Sequence, residues 1–319
     1  MINKKMAISE KLNIQENVIL ANYTTFRIGG PARYFVEVNS VQEIKDAILW
    51  LKQNSVPYFI LGGGSNLLVK DEGFEGLAIK IKNEKFKIES DNSKCKITAD
   101  AGVSLIKIIM ETAKKGFSGA EWGFGIPGTI GGAICGNAHR LGQAIAQIVE
   151  SVEILDSNFD VKILKNQECG FVYGESRFKK TGEIILSASL VFEKKEQKLI
   201  DEVLNEAKNV IKQHPPFPSA GCIFKNYEID KNDRLLIDHP ELVQRVRSEK
   251  IGVGFLIDQC GLKGKQIGGA KIWEGHANYI VNVKSAKASD IIALVNLCKK
   301  TVREKFSIEL EEEIRYLGF

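Results

Sequence analysis

Residues 61–69 read Leu61-Gly-Gly-Gly-Ser-Asn-Leu-Leu-Val69. The apolar run Pro57-Tyr-Phe-Ile-Leu61 before them predicts a strand, and Gly76-Leu-Ala-Ile-Lys-Ile81 after them predicts another. Consecutive glycines let backbone N–H groups approach an anion closely, and Ser65 and Asn66 add side-chain donors. The loop therefore reads either as a pyrophosphate cradle or as a flexible turn between two strands. It lacks the spacing and the lysine of a Walker A loop. Upstream, Ser40-Val-Gln-Glu43 is a capping box that opens a helix with Val41, Ile44, Ile48 and Leu51 on one face. Up to Ile81 the order is strand, helix, strand, glycine loop, strand, an α/β unit.

Further along, residues 95–101 predict a strand and 103–115 a helix ended by Gly116. Residues 119–142 are dense in glycine. Within them, Gly123-Phe-Gly-Ile-Pro-Gly128 matches the dinucleotide-binding spacing literally, but no buried strand precedes it, so it is no Rossmann fingerprint. Gly128-Thr-Ile-Gly-Gly-Ala133 continues with small residues into Asn137. This is a second stretch where backbone can lie flat against a ligand, and two such loops suit a large dinucleotide. Strands are expected near 148–155, 161–165, 183–193 and 278–283. A polar amphipathic helix is expected over 196–213, with Leu199, Ile200, Val203, Leu204 and Ala207 inward and His214-Pro-Pro216 ending it. A last helix is expected over 288–305.

Composition narrows the class. Of 319 residues, 44% are apolar and 26% charged, enough for a sizeable core. A net charge of +4 is too balanced to point to nucleic acid. No apolar run is long enough for a membrane span, and the N-terminus lacks a secretory core, so a cytoplasmic location is expected. The six cysteines show no C-x-x-C or zinc-type spacing, and the four histidines are scattered, so no metal site is expected. Buried thiols are the ordinary reading for the cysteines, and Ser176 sits in no nucleophile elbow.

Seven stretches in order carry a resemblance: TTFRIGG (24–30), LGGGSNLLV (61–69), GIPGTIGGA (125–133), PSAGCIFKN (218–226), FLIDQCGLKG (255–264), HANYIVN (276–282) and LEEEIRYLG (310–318). Together they resemble the UDP-N-acetylenolpyruvoylglucosamine reductase family, in its shorter form without an extra substrate-closing insertion. The resemblance implies an α+β fold: a two-subdomain FAD-binding domain of the vanillyl-alcohol-oxidase (PCMH) type and a smaller C-terminal α/β substrate domain. The expected boundaries are an N-terminal arm over 1–19, the FAD-binding domain over 20–194 (subdomains about 20–82 and 83–194) and the substrate domain over 195–319. The implied activity is NADPH-dependent reduction of UDP-N-acetylglucosamine-enolpyruvate to UDP-N-acetylmuramate through FAD, in peptidoglycan precursor synthesis, by a monomer. The alternatives are an FAD-dependent oxidoreductase of another small substrate and a degenerate flavin-binding paralogue.

The resemblance also implies site residues. The cofactor loops are Gly62, Gly63, Gly64, Ser65 and Asn66, then Gly128, Thr129, Gly131, Gly132 and Asn137. Tyr173, Lys225 and Asn226 are implied substrate ligands. The proton donor falls on Cys222, where the family has serine. A thiol (ordinary pKa about 8.5) is largely protonated at neutral pH and gives up its proton more readily than a hydroxyl. The acid near the developing enolate falls on Glu313, with Glu312 replacing the family's proline. The family's arginine falls on Gly174, which is the serious departure and motivates the degenerate reading. Arg177 is the expected substitute, on the premise that 174–178 forms a helical turn with i and i+3 on one face. A smaller departure is Asn137-Ala-His-Arg-Leu-Gly142, where the family usually has N-A-G-A-Y-G.

Overall fold

Tyr58–Leu61 lies parallel to Phe74–Ile81, with Leu61 opposite Lys80, so the strand–glycine loop–strand reading holds. The structure is a computed structural model that describes residues 11–212, 214–230 and 233–319; residues 1–10 of the expected N-terminal arm lie outside it. The chain falls into two units, each described by itself.

Among the described residues, the first unit comprises 11–18, 32–63 and 75–212. One four-stranded sheet has the order Gln15–Ile19, Pro31–Val38, Phe74–Ile81, Tyr58–Leu61. Helix Val41–Asn54 starts as its sequence predicts: the Ser40 hydroxyl accepts the Glu43 N–H at 3.2 Å. Ile44, Ile48 and Leu51 are buried. A six-stranded antiparallel sheet orders Val161–Lys165, Val149–Leu155, Ile184–Lys194, Lys94–Asp100 and Phe86–Ser90, with Phe117–Ser118 beside Ile184–Lys194. One core joins both sheets, from Val36 and Ile79 to Ile97 and Leu190.

Helix Gln197–Ile211 belongs to this unit, not to the C-terminal one as expected: Ile200 and Leu204 enter the first core. Its inward stripe is also narrower than expected. Ile200, Leu204 and Ala207 are buried, whereas Leu199 and Val203 are exposed, because a helix against one surface buries one ridge.

The second unit comprises residues 19–31, 64–74 and 213–319. Leu67–Val69 pairs in parallel with Arg315–Leu317. A three-stranded antiparallel sheet orders Gln266–Ile267, Ala270–Ile272 and Ile280–Asn282. Helix Ala288–Phe306 buries Ile291, Leu294, Val295, Cys298 and Val302. Its first amides, Ala288 and Ser289, donate to the two carboxylate oxygens of Asp71 at 2.7 and 3.1 Å. A cap from outside the helix thus satisfies two orphan donors. Among the described residues no helix is long and apolar enough to cross a membrane.

Candidate active site

In the first unit the two glycine-rich loops meet backbone to backbone. A Cβ added at Gly63 would lie 2.7 Å from the Gly128 Cα, and one at Gly62 would lie 2.9 Å from the Thr129 hydroxyl oxygen. Only hydrogen fits at Gly63, where backbone faces backbone; at Gly62 the Thr129 side chain would have to give. The amides of Gly62 and Gly63 donate to no acceptor among the described residues. Neighbouring N–H groups left open on side-chain-free backbone suit a diphosphate, so these residues fit the pyrophosphate of a dinucleotide.

Other members of the expected cofactor set also make contacts within the protein. Gly131 is a packing position: its N–H donates to the Ala101 carbonyl at 2.9 Å, and a Cβ there would lie 2.8 Å from the Ala101 Cβ. Thr129 caps the short helix Ile130–Cys135 by accepting the Gly132 N–H at 3.4 Å. Asn137, buried, donates its amide to the Val172 carbonyl at 2.7 Å and accepts the Ala146 N–H at 3.3 Å. It braces loop against loop. Two residues of the departing 137–142 stretch make contacts of their own. His139 packs against Tyr173 with the rings tilted at 55° and their centroids 4.4 Å apart, and Arg140 donates to the Phe124 carbonyl at 2.8 Å.

Residues 172–179 lack the helical turn on which the expectation for Arg177 is premised. The helical turn over 174–178 does not form. Val172 and Glu175 pair as a tight turn, and Gly174 takes φ +64°, a left-handed conformation that favours glycine. The Arg177 guanidinium donates from Nε and Nη2 to the two carboxylate oxygens of Glu183, both at 2.9 Å, and from Nη1 to the Glu168 carbonyl at 3.1 Å. It is a bidentate structural pair. The ammonium at residue 174 is that of Lys179, which donates to the Gly174 carbonyl at 2.6 Å and to Glu175 at 3.1 Å and is 13% exposed. Sequence reading missed it because it lies beyond the motif.

In the second unit, Cys222–Lys225 runs as extended chain between two neighbouring segments, joined to each by an isolated bridge. Cys222 bridges Tyr279, and Phe224 bridges Glu312. Asn278 brackets Phe224, accepting its N–H at 3.0 Å and donating to its carbonyl at 2.8 Å. Gly221, at φ +79°, needs no small side chain for space but does need glycine's backbone freedom. The Glu313 N–H donates to the Ile223 carbonyl at 2.8 Å, so Cys222 and Glu313 stand on neighbouring segments. The Asn66 amide donates to the Glu313 carbonyl at 3.0 Å, a structural use of a residue expected at the cofactor. Glu312, in the family's proline position, pairs with Lys299 at 2.8 Å. Lys225, 10% exposed, pairs with Glu311 at 2.5 Å. Asn226 accepts the Val253 N–H at 3.3 Å, where helix Val253–Gln259 begins. Gly64, Ser65 and Asn66 belong to this unit, while Gly62 and Gly63 belong to the first.

None of the six cysteines is in a disulfide. Burial pushes Cys169 up to about 11 and Cys298 up to about 12, making them poor nucleophiles. Cys222, Cys135 and Cys260 are half-buried. No group of three or more potential metal ligands occurs among the described residues.

Residues 32–162 match the family model of an FAD-binding domain, so the class is that of an FAD-dependent oxidoreductase. Residues 212–317 match the C-terminal domain of UDP-N-acetylenolpyruvoylglucosamine reductase. Full-length relatives agree. The chain is 34% identical to the reductase of that name from Clostridium novyi, over 99% of this chain and 96% of the other. It is 36% identical to the one from Bacillus subtilis, over 95% and 93%. The solved reductase structure from Thermus caldophilus superposes with a TM-score of 0.76 at 30% identity, over 96% of this chain and all of the other. The chain belongs to the UDP-N-acetylenolpyruvoylglucosamine reductase family.

Proposed function

We propose that this protein is an FAD-dependent reductase that uses NADPH to convert UDP-N-acetylglucosamine-enolpyruvate to UDP-N-acetylmuramate, as a cytoplasmic monomer supplying peptidoglycan synthesis. The observation that carries this reading is that a flavin-domain match and a reductase-specific C-terminal match lie on one chain whose relatives align over almost all of it.

Bound FAD supplies the hydride relay from NADPH to C3 of the enolpyruvyl group. Gly62, Gly63 and Gly128 give the cofactor's diphosphate an open backbone. Cys222 gives its thiol proton to C2 and is reprotonated from solvent. Glu313 and a cation face the charge that grows on C2 and its carboxylate. Arg177 pairs with Glu183 and Lys179 with Glu175; Lys179 is assigned as that cation because its ammonium reaches the Gly174 carbonyl, whereas the Arg177 guanidinium is held between Glu183 and the Glu168 carbonyl. Tyr173, Lys225 and Asn226 hold the nucleotide sugar.

The test is steady-state turnover. NADPH consumption depends on the enolpyruvyl nucleotide, and the product is two hydrogens heavier than the substrate. NADPH oxidation that ignores this substrate, or a product of unchanged mass, refutes the assignment.

A further inference from the structure

Lys80 stands on Phe74–Ile81 directly opposite Leu61, the last residue before the glycine loop. Its neighbours Ile79 and Ile81 enter the first core, while Lys80 alternates away from it and is half-buried. Its ammonium donates to the Gly62 carbonyl. It forms no ion pair among the described residues; Lys82 repels it and Glu37 and Glu84 attract it only through space. A partly desolvated cation without a counter-ion is costly and favours a bound anion.

The peptide between Gly62 and Gly63 is planar and trans, so its C=O and N–H point in opposite directions. Holding the Gly62 carbonyl on Lys80 therefore aims the Gly63 N–H away from Lys80. That N–H has no acceptor among the described residues.

We propose that Lys80 is a positioning residue of the diphosphate cradle: it fixes the Gly62–Gly63 peptide so that the Gly63 N–H donates to the cofactor's diphosphate, and its charge strengthens that donor. The inference rests on the FAD reading. Sequence alone hides it, because one lysine in an apolar strand looks like an ordinary outward position.

The test is titration of FAD into the full-length apoprotein, with ADP and riboflavin as further probes and apoprotein melting as a control. Lys80→Met weakens FAD and ADP by about tenfold, and Lys80→Arg restores both to within about threefold. Riboflavin, which carries no phosphate, binds both variants as it binds the wild type. Added salt weakens wild-type FAD binding more steeply than that of Lys80→Met. Unchanged FAD affinity in Lys80→Met overturns the proposal. So does a loss for FAD with none for ADP, or a Lys80→Arg protein as defective as Lys80→Met whether or not its melting changes. A wild-type protein that takes up no FAD refutes the FAD reading instead.

Discussion

The glycine cradle of the first unit and the Cys222 segment of the second are built on opposite principles. At Gly62 and Gly63 the loop works by lacking side chains: a single added carbon would collide with the facing loop. At Cys222–Asn226 an extended segment bridged on both sides presents side chains, and its backbone is fixed by Asn278 and by the Glu313 N–H. The first region cannot accept any larger residue. The second, on the role proposed for Cys222, can exchange a thiol for a hydroxyl without moving its backbone.

The largest expected effect strikes the side-chain region. Cys222→Ala slows reoxidation of the reduced flavin by the enolpyruvyl nucleotide about a hundredfold or more, with FAD content unchanged. Cys222→Ser retains most of the rate and abolishes inactivation by an alkylating agent. Because Cys135 and Cys260 are also half-buried, that agent's site is checked by peptide mass. Full turnover of protein alkylated at Cys222 would make the thiol inert.

Gly63→Val attacks the backbone region. Overpacking of this kind costs about 1–3 kcal/mol, so FAD affinity falls by roughly ten- to a hundredfold. An FAD-replete Gly63→Val protein would break the comparison. Next in size comes the cation. Lys179→Met slows flavin reoxidation about tenfold, whereas Arg177→Ala changes it less than about threefold and lowers stability by up to about 1 kcal/mol in denaturant unfolding. The reverse order would return the role to Arg177. The smallest effect is Asp71→Ala, which removes a helix cap and costs about 1 kcal/mol of stability while FAD affinity and flavin reoxidation stay as in the wild type.

The glycine loops, the Ser40 cap and the flanking strands are readable in the sequence because each depends on local chemistry: φ freedom, a capping oxygen, alternation. What depends on distant pairing is concealed. Residues 64–74 join the second unit through Leu67–Val69 and Arg315–Leu317, a pairing that no local pattern announces. The place of Arg177 is hidden for a similar reason. Its Glu183 partner and the left-handed Gly174 decide where it points, and i,i+3 spacing matters only inside a helix that does not form there. Asn66, Gly131 and Asn137 are constrained residues, as their motifs suggest, but their constraint comes from protein contacts.

The central claim is that an intact cradle and working chemistry coexist despite Gly174. Anaerobic titration tests it most directly. NADPH bleaches the yellow protein, and UDP-N-acetylglucosamine-enolpyruvate, but no simple alcohol, restores the colour. Bleaching that this nucleotide fails to reverse would contradict the account and leave a flavin-binding protein without the reductase step.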